Sequence, residues 1–218
     1  YVDYNNQTVN GALGPFSSLS GPFSDLKPVM KNSCIEIRTF LMDYSGSGPL
    51  GIATSLNRNS SSLSSVSVIS MATFCHELGH MLGFGHGPQG SDNTGYFYHS
   101  RAFSTQHHGI PGENLSTLMD YGRRTFIFSN LLKPYQGDYT EFHGQIFGTE
   151  NRNHIRTLDQ TYPIVKDISS PVESVSKSIC AGDSLFGYTE AGFYRDTLED
   201  PLSCTGHRYR RLNLSVEP

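Results

Sequence analysis

The sequence CHELGHMLGFGH, residues 75–86, contains three histidines and one glutamate. If the segment begins in a helix, His76 and His80 lie one turn apart on one face, and both imidazoles can reach one ion. Gly83 lets the chain turn sharply, which brings His86 toward the same point. Three nitrogen ligands and a fourth position for water are the usual arrangement around a catalytic zinc ion. The spacing therefore predicts one Zn²⁺ held by His76, His80 and His86.

Glu77 follows the first histidine and is placed to hydrogen-bond a zinc-activated water instead of binding the ion. Zinc lowers the pKa of water from about 15.7 to about 7 and polarises a carbonyl, while a carboxylate moves the proton to the leaving amine. We therefore expect hydrolysis of peptide bonds with Glu77 as general base. The alternative is a helix with surface histidines, and Gly83 followed by a third histidine argues against it.

Apolar periodicity predicts the helix that positions these residues. From residue 70 to residue 82 the apolar residues fall on one broad helical face, and Gly83 is a natural stop because glycine adopts left-handed conformations at low cost. A second amphipathic pattern starts near Asn151 and predicts a C-terminal helix, bent or broken at Pro163. We expect mostly loops from residue 84 to about residue 122.

The remaining segments indicate short strands and loops. Residues 34–42 alternate well enough to form a strand, residues 50–54 favour a second short strand, and the serine-rich residues 59–65 are expected to be a connector. Residues 1–33 carry many turn formers, so we expect loops around at most a short helix or strand. Residues 171–218 are expected to form an irregular or small β extension.

The motif resembles the metzincin clan of zinc endopeptidases. The clan signature is HExxHxxGxxH, and the matching residues here are His76, Glu77, His80, Gly83 and His86. The clan also has a methionine-containing turn beneath the zinc, and residues 116–122, STLMDYG, suit that turn. The resemblance implies that Met119 forms a hydrophobic base under the imidazoles without binding the metal. An ordinary core methionine would pack in a similar way.

Tyr121 lies two residues after Met119, where astacin-like and serralysin-like members carry a tyrosine that can approach the zinc. The resemblance leaves two catalytic roles open for Tyr121. It would be either a displaceable metal ligand or a donor that stabilises the tetrahedral oxyanion. A tyrosine packed in the cleft wall is the alternative.

Two segments are expected to contact the substrate. Residues 123–130 resemble the outer wall of the S1′ pocket in adamalysin-like members, although Leu131 replaces the proline found there. The residues expected in that wall are Phe126, Ile127 and Phe128. In the clan an edge strand above the helix pairs with the extended substrate. The expected edge residues are Gly51, Ile52 and Ala53, with an internal strand or a loop as the alternative.

The resemblance implies an α/β fold of α+β character, closest to the adamalysin-like (reprolysin-like) branch or a microbial relative. This metzincin fold has a small twisted mixed sheet with the active-site helix, an irregular lower subdomain and a C-terminal helix. We expect a catalytic domain over residues 1–170, with an upper subdomain of about residues 1–83 and a lower subdomain of about residues 84–170. Residues 171–218 would form a short C-terminal extension.

The composition limits the classes of molecule that the protein is expected to bind. The chain has 218 residues, 17% of them charged, and a formal net charge of -4, so a nucleic-acid partner is not expected. It contains no long apolar run of the kind that spans a membrane. We expect a monomer that acts on a protein or peptide substrate.

Four cysteines and four glycosylation sequons bear on whether the protein is secreted. Sequential disulfides would join Cys34 to Cys75 and Cys180 to Cys204, and buried free thiols are the alternative. Disulfides would indicate a secreted, extracellular protein. The sequons permit glycosylation in a cell that glycosylates secreted proteins, and they begin at Asn6, Asn59, Asn114 and Asn213.

The remaining histidines show no ligand pattern. A solvated loop is the expected environment of His99, His107 and His108, since no carboxylate or cysteine lies at ligand spacing. No role is expected for His143, His154 and His207.

These observations favour a zinc-dependent endopeptidase. Two alternatives are a catalytically silent binding module with the same fold, and a narrow-specificity, toxin-like secreted protease. Glu77 discriminates against the first, because a silent descendant has no chemical need for that base.

Overall fold

Helices and strands are mixed along the chain. The computed structural model describes residues 8–32, 37–44, 46–56, 62–87, 95–104, 115–120, 123–136, 142–166, 168, 172–200 and 206–217. Within these residues the helices are α1 (Val9–Ser18), a 3₁₀ helix (Gly21–Leu26), α2 (Lys27–Asn32), α3 (Met71–Met81) and α4 (His154–Lys166). The strands are β1 (Ile37–Met42), β2 (Gly51–Ala53), β3 (Leu63–Val68), β4 (Leu115–Ser116), β5 (Arg123–Arg124), β6 (Val172–Cys180), β7 (Gly192–Glu199) and β8 (His207–Glu217). This is an α/β arrangement at the coarse level.

The sheet above the histidine segment has the order β1-β3-β2. The central strand β3 is parallel to β1 and antiparallel to β2, so the sheet is mixed and β2 lies at its edge. The expectation of two short strands over residues 34–42 and 50–54 is confirmed for their described parts.

The serine-rich segment was expected to be a connector up to residue 65, and this is wrong for its last part, since β3 begins at Leu63. The serines are buried in the strand because neighbouring side chains complete their hydrogen bonds. The Arg38 Nε donates to Ser64 Oγ at 2.7 Å, and the hydroxyls of Thr39 and Ser65 lie 2.8 Å apart. A buried serine is tolerated when such a partner is present.

The N-terminal region contains two α-helices and a 3₁₀ helix, so the expectation of mostly loops is wrong there. Thr8 caps α1 by accepting a hydrogen bond from the Gly11 N–H at 3.1 Å. One face of α1 then buries Val9, Ala12 and Phe16 in a core shared with the sheet. This burial outweighs the weak helix propensity of the glycines and the proline in the segment.

Helix α3 follows the sheet directly and is confirmed close to its predicted bounds. Ser70 caps it, with its hydroxyl 3.5 Å from the Thr73 N–H, and the helix ends at Met81. Met81 is fully buried with Leu63 of β3 and Val165 of α4 in one cluster. The cluster fixes α3 between the sheet and the C-terminal helix. The predicted C-terminal helix is also confirmed, and it runs through Pro163 without a break.

The last segment was expected to be irregular or a small β extension, and its described residues form the β alternative. Strands β6, β8 and β7 form a second mixed sheet, with β6 parallel and β7 antiparallel to β8. Both described cysteines, Cys75 and Cys180, are free thiols, so the two predicted disulfides are not formed. The Cys75 Sγ lies instead 3.8 Å from the sulfur of Met71 on the same helix. No helix among the described residues is long and apolar enough to cross a membrane.

Candidate metal centre

Three imidazoles converge at the end of α3. His76 and His80 project from adjacent turns of the helix, and His86 returns from the chain that follows it. One ring nitrogen of each lies within 4.8 Å of the others, and the Nε2 atoms of His76 and His86 are 3.0 Å apart. Nitrogens bound tetrahedrally to zinc at about 2.0–2.1 Å would be about 3.3 Å apart. The predicted ligand set therefore fits one metal ion.

Backbone carbonyls orient two of these rings. His76 Nδ1 lies 2.8 Å from the Leu118 carbonyl oxygen, and His80 Nδ1 lies 3.0 Å from the Phe84 carbonyl oxygen. A carbonyl only accepts hydrogen bonds, so each Nδ1 carries the proton and each Nε2 presents its lone pair. Anchoring of the outer nitrogen in this way is the usual environment of a metal-binding histidine.

Burial also keeps the imidazoles in the form that binds a cation. Burial, with smaller contributions from neighbouring histidines and Arg124, lowers the pKa of His76 to about 3 and that of His86 to about 4. Burial lowers the pKa of His80 as well. All three rings are therefore neutral at pH 7, and a metal ion does not have to displace protons from them.

The turn after α3 brings the third ligand back. Gly83 has φ +89°, a left-handed conformation that glycine adopts without strain. The Phe84 N–H donates to the Gly79 carbonyl at 2.9 Å, and the Gly85 N–H donates to the Ser100 carbonyl at 2.6 Å. The expectation that Gly83 ends the helix and permits the third ligand is thus consistent with the observed backbone.

Glu77 lies in the same cleft as the three histidines and is 4% exposed. Burial raises the pKa of its carboxyl to about 8, and the nearby Arg124 lowers it in part. A cation at the histidine site would lower this pKa further, because an opposite charge stabilises the carboxylate. Gly51 of β2 packs directly against the Glu77 side chain, and a Cβ at position 51 would collide with its carboxylate.

Met119 lies under the centre. It is fully buried with Phe84 and Ala102, and its sulfur packs against Gly79 on the inner face of α3. A Cβ at position 79 would overlap the Met119 sulfur. Met119 therefore packs beneath the helix that carries His76 and His80.

A cleft of about 360 Å³ runs past the centre, between the sheet edge and the histidines. Its described lining includes the expected edge residues Gly51, Ile52 and Ala53. The expected S1′ wall is not part of that lining. Phe126 is 65% exposed, Ile127 packs against the core cluster around Phe103, and Phe128 packs on Phe84 with 4.9 Å between ring centroids. Tyr121 lies outside the described residues.

Comparison with known proteins found no similar chain. No family model, no curated protein and no solved structure matches it. The function must therefore be argued from the centre itself.

Two residues at the centre were missed by the sequence analysis. Arg124 lines the cleft beside the histidines and Glu77. It belongs to residues 123–130, the segment that resembles the S1′ wall, but only Phe126, Ile127 and Phe128 were expected in that wall. His154, for which no role was expected, is fully buried at the start of α4. A histidine at a helix start carries no signal of burial.

His154 ties α4 to the chain that carries the third ligand. Its Nδ1 accepts from the Ser129 N–H at 3.2 Å, so its Nε2 carries the proton and donates to the carbonyls of Gly85 at 3.3 Å and Ser100 at 3.2 Å. Its ring also stacks on Phe84 with 4.5 Å between centroids. Complete burial lowers its pKa to about 3, so it is neutral at pH 7.

His99 is also less exposed than expected. It is 9% exposed and stacks on Phe97 with 5.3 Å between ring centroids, so the expected solvated loop is wrong at this residue. Its carbonyl accepts from the Asn153 N–H at 2.9 Å, just before α4 begins. His107 and His108 lie outside the described residues.

Replacing His154 should separate the donor and acceptor functions of its ring. Gln places an amide nitrogen near the position of Nε2 and keeps the donor to Gly85, whereas Asn places its amide near Nδ1 and keeps only the acceptor for Ser129. We expect His154→Asn to weaken zinc affinity by about 10-fold or more, and His154→Gln to weaken it less. Competition with a chromophoric chelator measures both. Equal affinities in two folded variants would contradict this assignment.

Proposed function

We propose that this protein is a zinc-dependent endopeptidase with a metzincin-like catalytic domain. The observation that carries the proposal is the convergence of three imidazoles, two of them anchored by backbone carbonyls, with a buried glutamate in one open cleft. The mixed sheet with β2 at its edge, the glycine turn after α3 and Met119 beneath the helix support the metzincin-like fold.

The three histidines would hold the ion, and a bound zinc supplies Lewis-acid polarisation of a carbonyl and a lowered water pKa. Glu77 sits beside them and takes the proton from the attacking water, then gives it to the leaving amine. Burial raises the pKa of the Glu77 carboxyl to about 8, and a cation held by the histidines would lower it toward the ionised form that accepts a proton. The hydrogen bonds from the Nδ1 atoms of His76 and His80 keep these two rings aimed at one point.

The sheet edge would bind the substrate backbone. Strand β2 pairs with β3 on one side, and its residues Gly51, Ile52 and Ala53 line the cleft. An extended peptide laid along this edge would place a carbonyl near the histidines and Glu77. The substrate class is therefore a protein or peptide in extended conformation.

Metal exchange tests the proposal. Protein purified without chelators should contain about one zinc per chain and cleave members of a peptide library. Extraction of the metal should abolish cleavage, and added zinc should restore it, while magnesium should not because it disfavours nitrogen ligands. A zinc-free protein that cannot be loaded would refute the metal site. A zinc-loaded protein that binds but cleaves no peptide would favour the silent binding module.

A further inference from the structure

Arg124 places a positive charge in the cleft. It lies on β5, which pairs with β4, and it lines the cleft together with Glu77, His76 and His86. The backbone beyond it is fixed, since the Thr125 N–H donates to the Ser116 carbonyl at 2.8 Å. The short β4–β5 pair, which starts beside the Met119 turn, therefore holds the Arg124 guanidinium in the cleft.

No carboxylate in the described part of the chain forms an ion pair with Arg124. Glu77 shares the cleft, but its carboxyl packs toward the sheet edge, where a Cβ at position 51 would overlap its Oε1 atom. The glutamate therefore lies near the positive charge of Arg124 but does not form an ion pair with it. The guanidinium keeps its capacity to bind a charged acceptor from outside the chain.

We infer that Arg124 binds a substrate carboxylate next to the peptide bond that is cleaved. A partly buried guanidinium gains most from a planar, charged acceptor, and a carboxylate provides one. The sheet side of the cleft offers an apolar or main-chain surface from Leu50 to Ala53, which gives no competing charge. A lysine or arginine side chain at the same place would meet like charge and be rejected.

This inference rests on the proposed endopeptidase, and it names the substrate class of the same cleft. The carboxylate could belong to an acidic side chain or to the free C-terminus of a short peptide, since both present the same acceptor. Two peptide sets distinguish these sources. The first varies Glu, Gln and Lys on each side of the cleaved bond with both ends blocked, and the second compares a free C-terminus with its amide.

The decisive measurement is the ratio of kcat/KM for the Glu peptide over its Gln counterpart. Loss of a charged partner for a partly buried guanidinium costs about 10-fold or more, so we expect a ratio of at least about 10 in the wild type. Arg124→Gln should reduce the ratio to near one, and Arg124→Lys should retain part of it. Arg124→Glu should invert the preference toward Lys. Arg156→Gln, an exposed arginine on α4, is the matched control and should keep the wild-type ratio.

A binding experiment separates failure of this inference from failure of the proposed function. Fluorescent Glu and Gln peptides are titrated into zinc-loaded Glu77→Gln protein, with and without the additional Arg124→Gln replacement, and anisotropy gives the affinities. Discrimination that depends on Arg124, without cleavage by the wild type, would preserve the carboxylate site and refute the protease. Cleavage without a Glu preference, or an equal loss for all peptides in Arg124→Gln, would overturn the inference.

Discussion

Zinc-loaded Glu77→Gln protein is expected to lose peptide cleavage by about 10²–10⁴-fold while it keeps its metal. The amide has the shape of the carboxyl but cannot take a proton from water. The rings of His76 and His80 do not depend on Glu77 for their orientation, because the carbonyls of Leu118 and Phe84 hold them. Cleavage rates and zinc content are measured on the same samples.

The control for this replacement is Glu150→Gln, which makes the same chemical change at an exposed residue. It should cleave at the wild-type rate. Retention of full activity by Glu77→Gln would remove Glu77 from the mechanism. Loss of both zinc and activity would show that Glu77 supports the fold of the centre instead of proton transfer.

The part of the centre that sequence predicted is local in the chain. His76 and His80 share a helix face because they are four residues apart. The glycine at position 83 predicts the turn because it can adopt a left-handed conformation. The observed φ of +89° at Gly83 and the helix end at Met81 agree with both. Such features follow from residue spacing alone, so no knowledge of distant contacts was needed.

The N-terminal helices show the opposite case. Their residues have low helix propensity, and the sequence around Pro15 suggests turns. The helix α1 forms because Phe16 packs with Phe23 and Phe40, whose ring centroids lie 5.1 Å and 5.7 Å from its own. Phe40 belongs to β1, so this stabilisation comes from tertiary contacts that a local pattern does not contain.

Arg124 and His154 were missed for the same reason. The role of His154 depends on the meeting of its ring with Gly85, which is 69 residues away in the chain. Arg124 belongs to the centre because β5 pairs with β4 beside the Met119 turn. Neither arrangement has a period or a spacing that a single sequence could show.

Met119 and Gly79 are expected to form an energetically coupled pair beneath the histidines. Gly79→Ala alone should lower the free energy of unfolding by about 1–3 kcal/mol, because its Cβ overlaps the Met119 sulfur. Met119→Ala alone should cost about 2–5 kcal/mol through the cavity it leaves. In the Met119→Ala background, Gly79→Ala should cost less than about 1 kcal/mol, since alanine gains about 1 kcal/mol of helix propensity over glycine.

Urea unfolding of the metal-free variants measures this coupling without a contribution from bound zinc. The double variant should be more stable, by about 1–3 kcal/mol, than the sum of the two single replacements predicts. Met119→Leu conserves volume and should cost less than about 1.5 kcal/mol, which separates packing from any need for sulfur. Phe84 lies 3.2 Å from the same added Cβ and can shift slightly. An equal cost of Gly79→Ala in both backgrounds would mean that Met119 does not support the helix at this point.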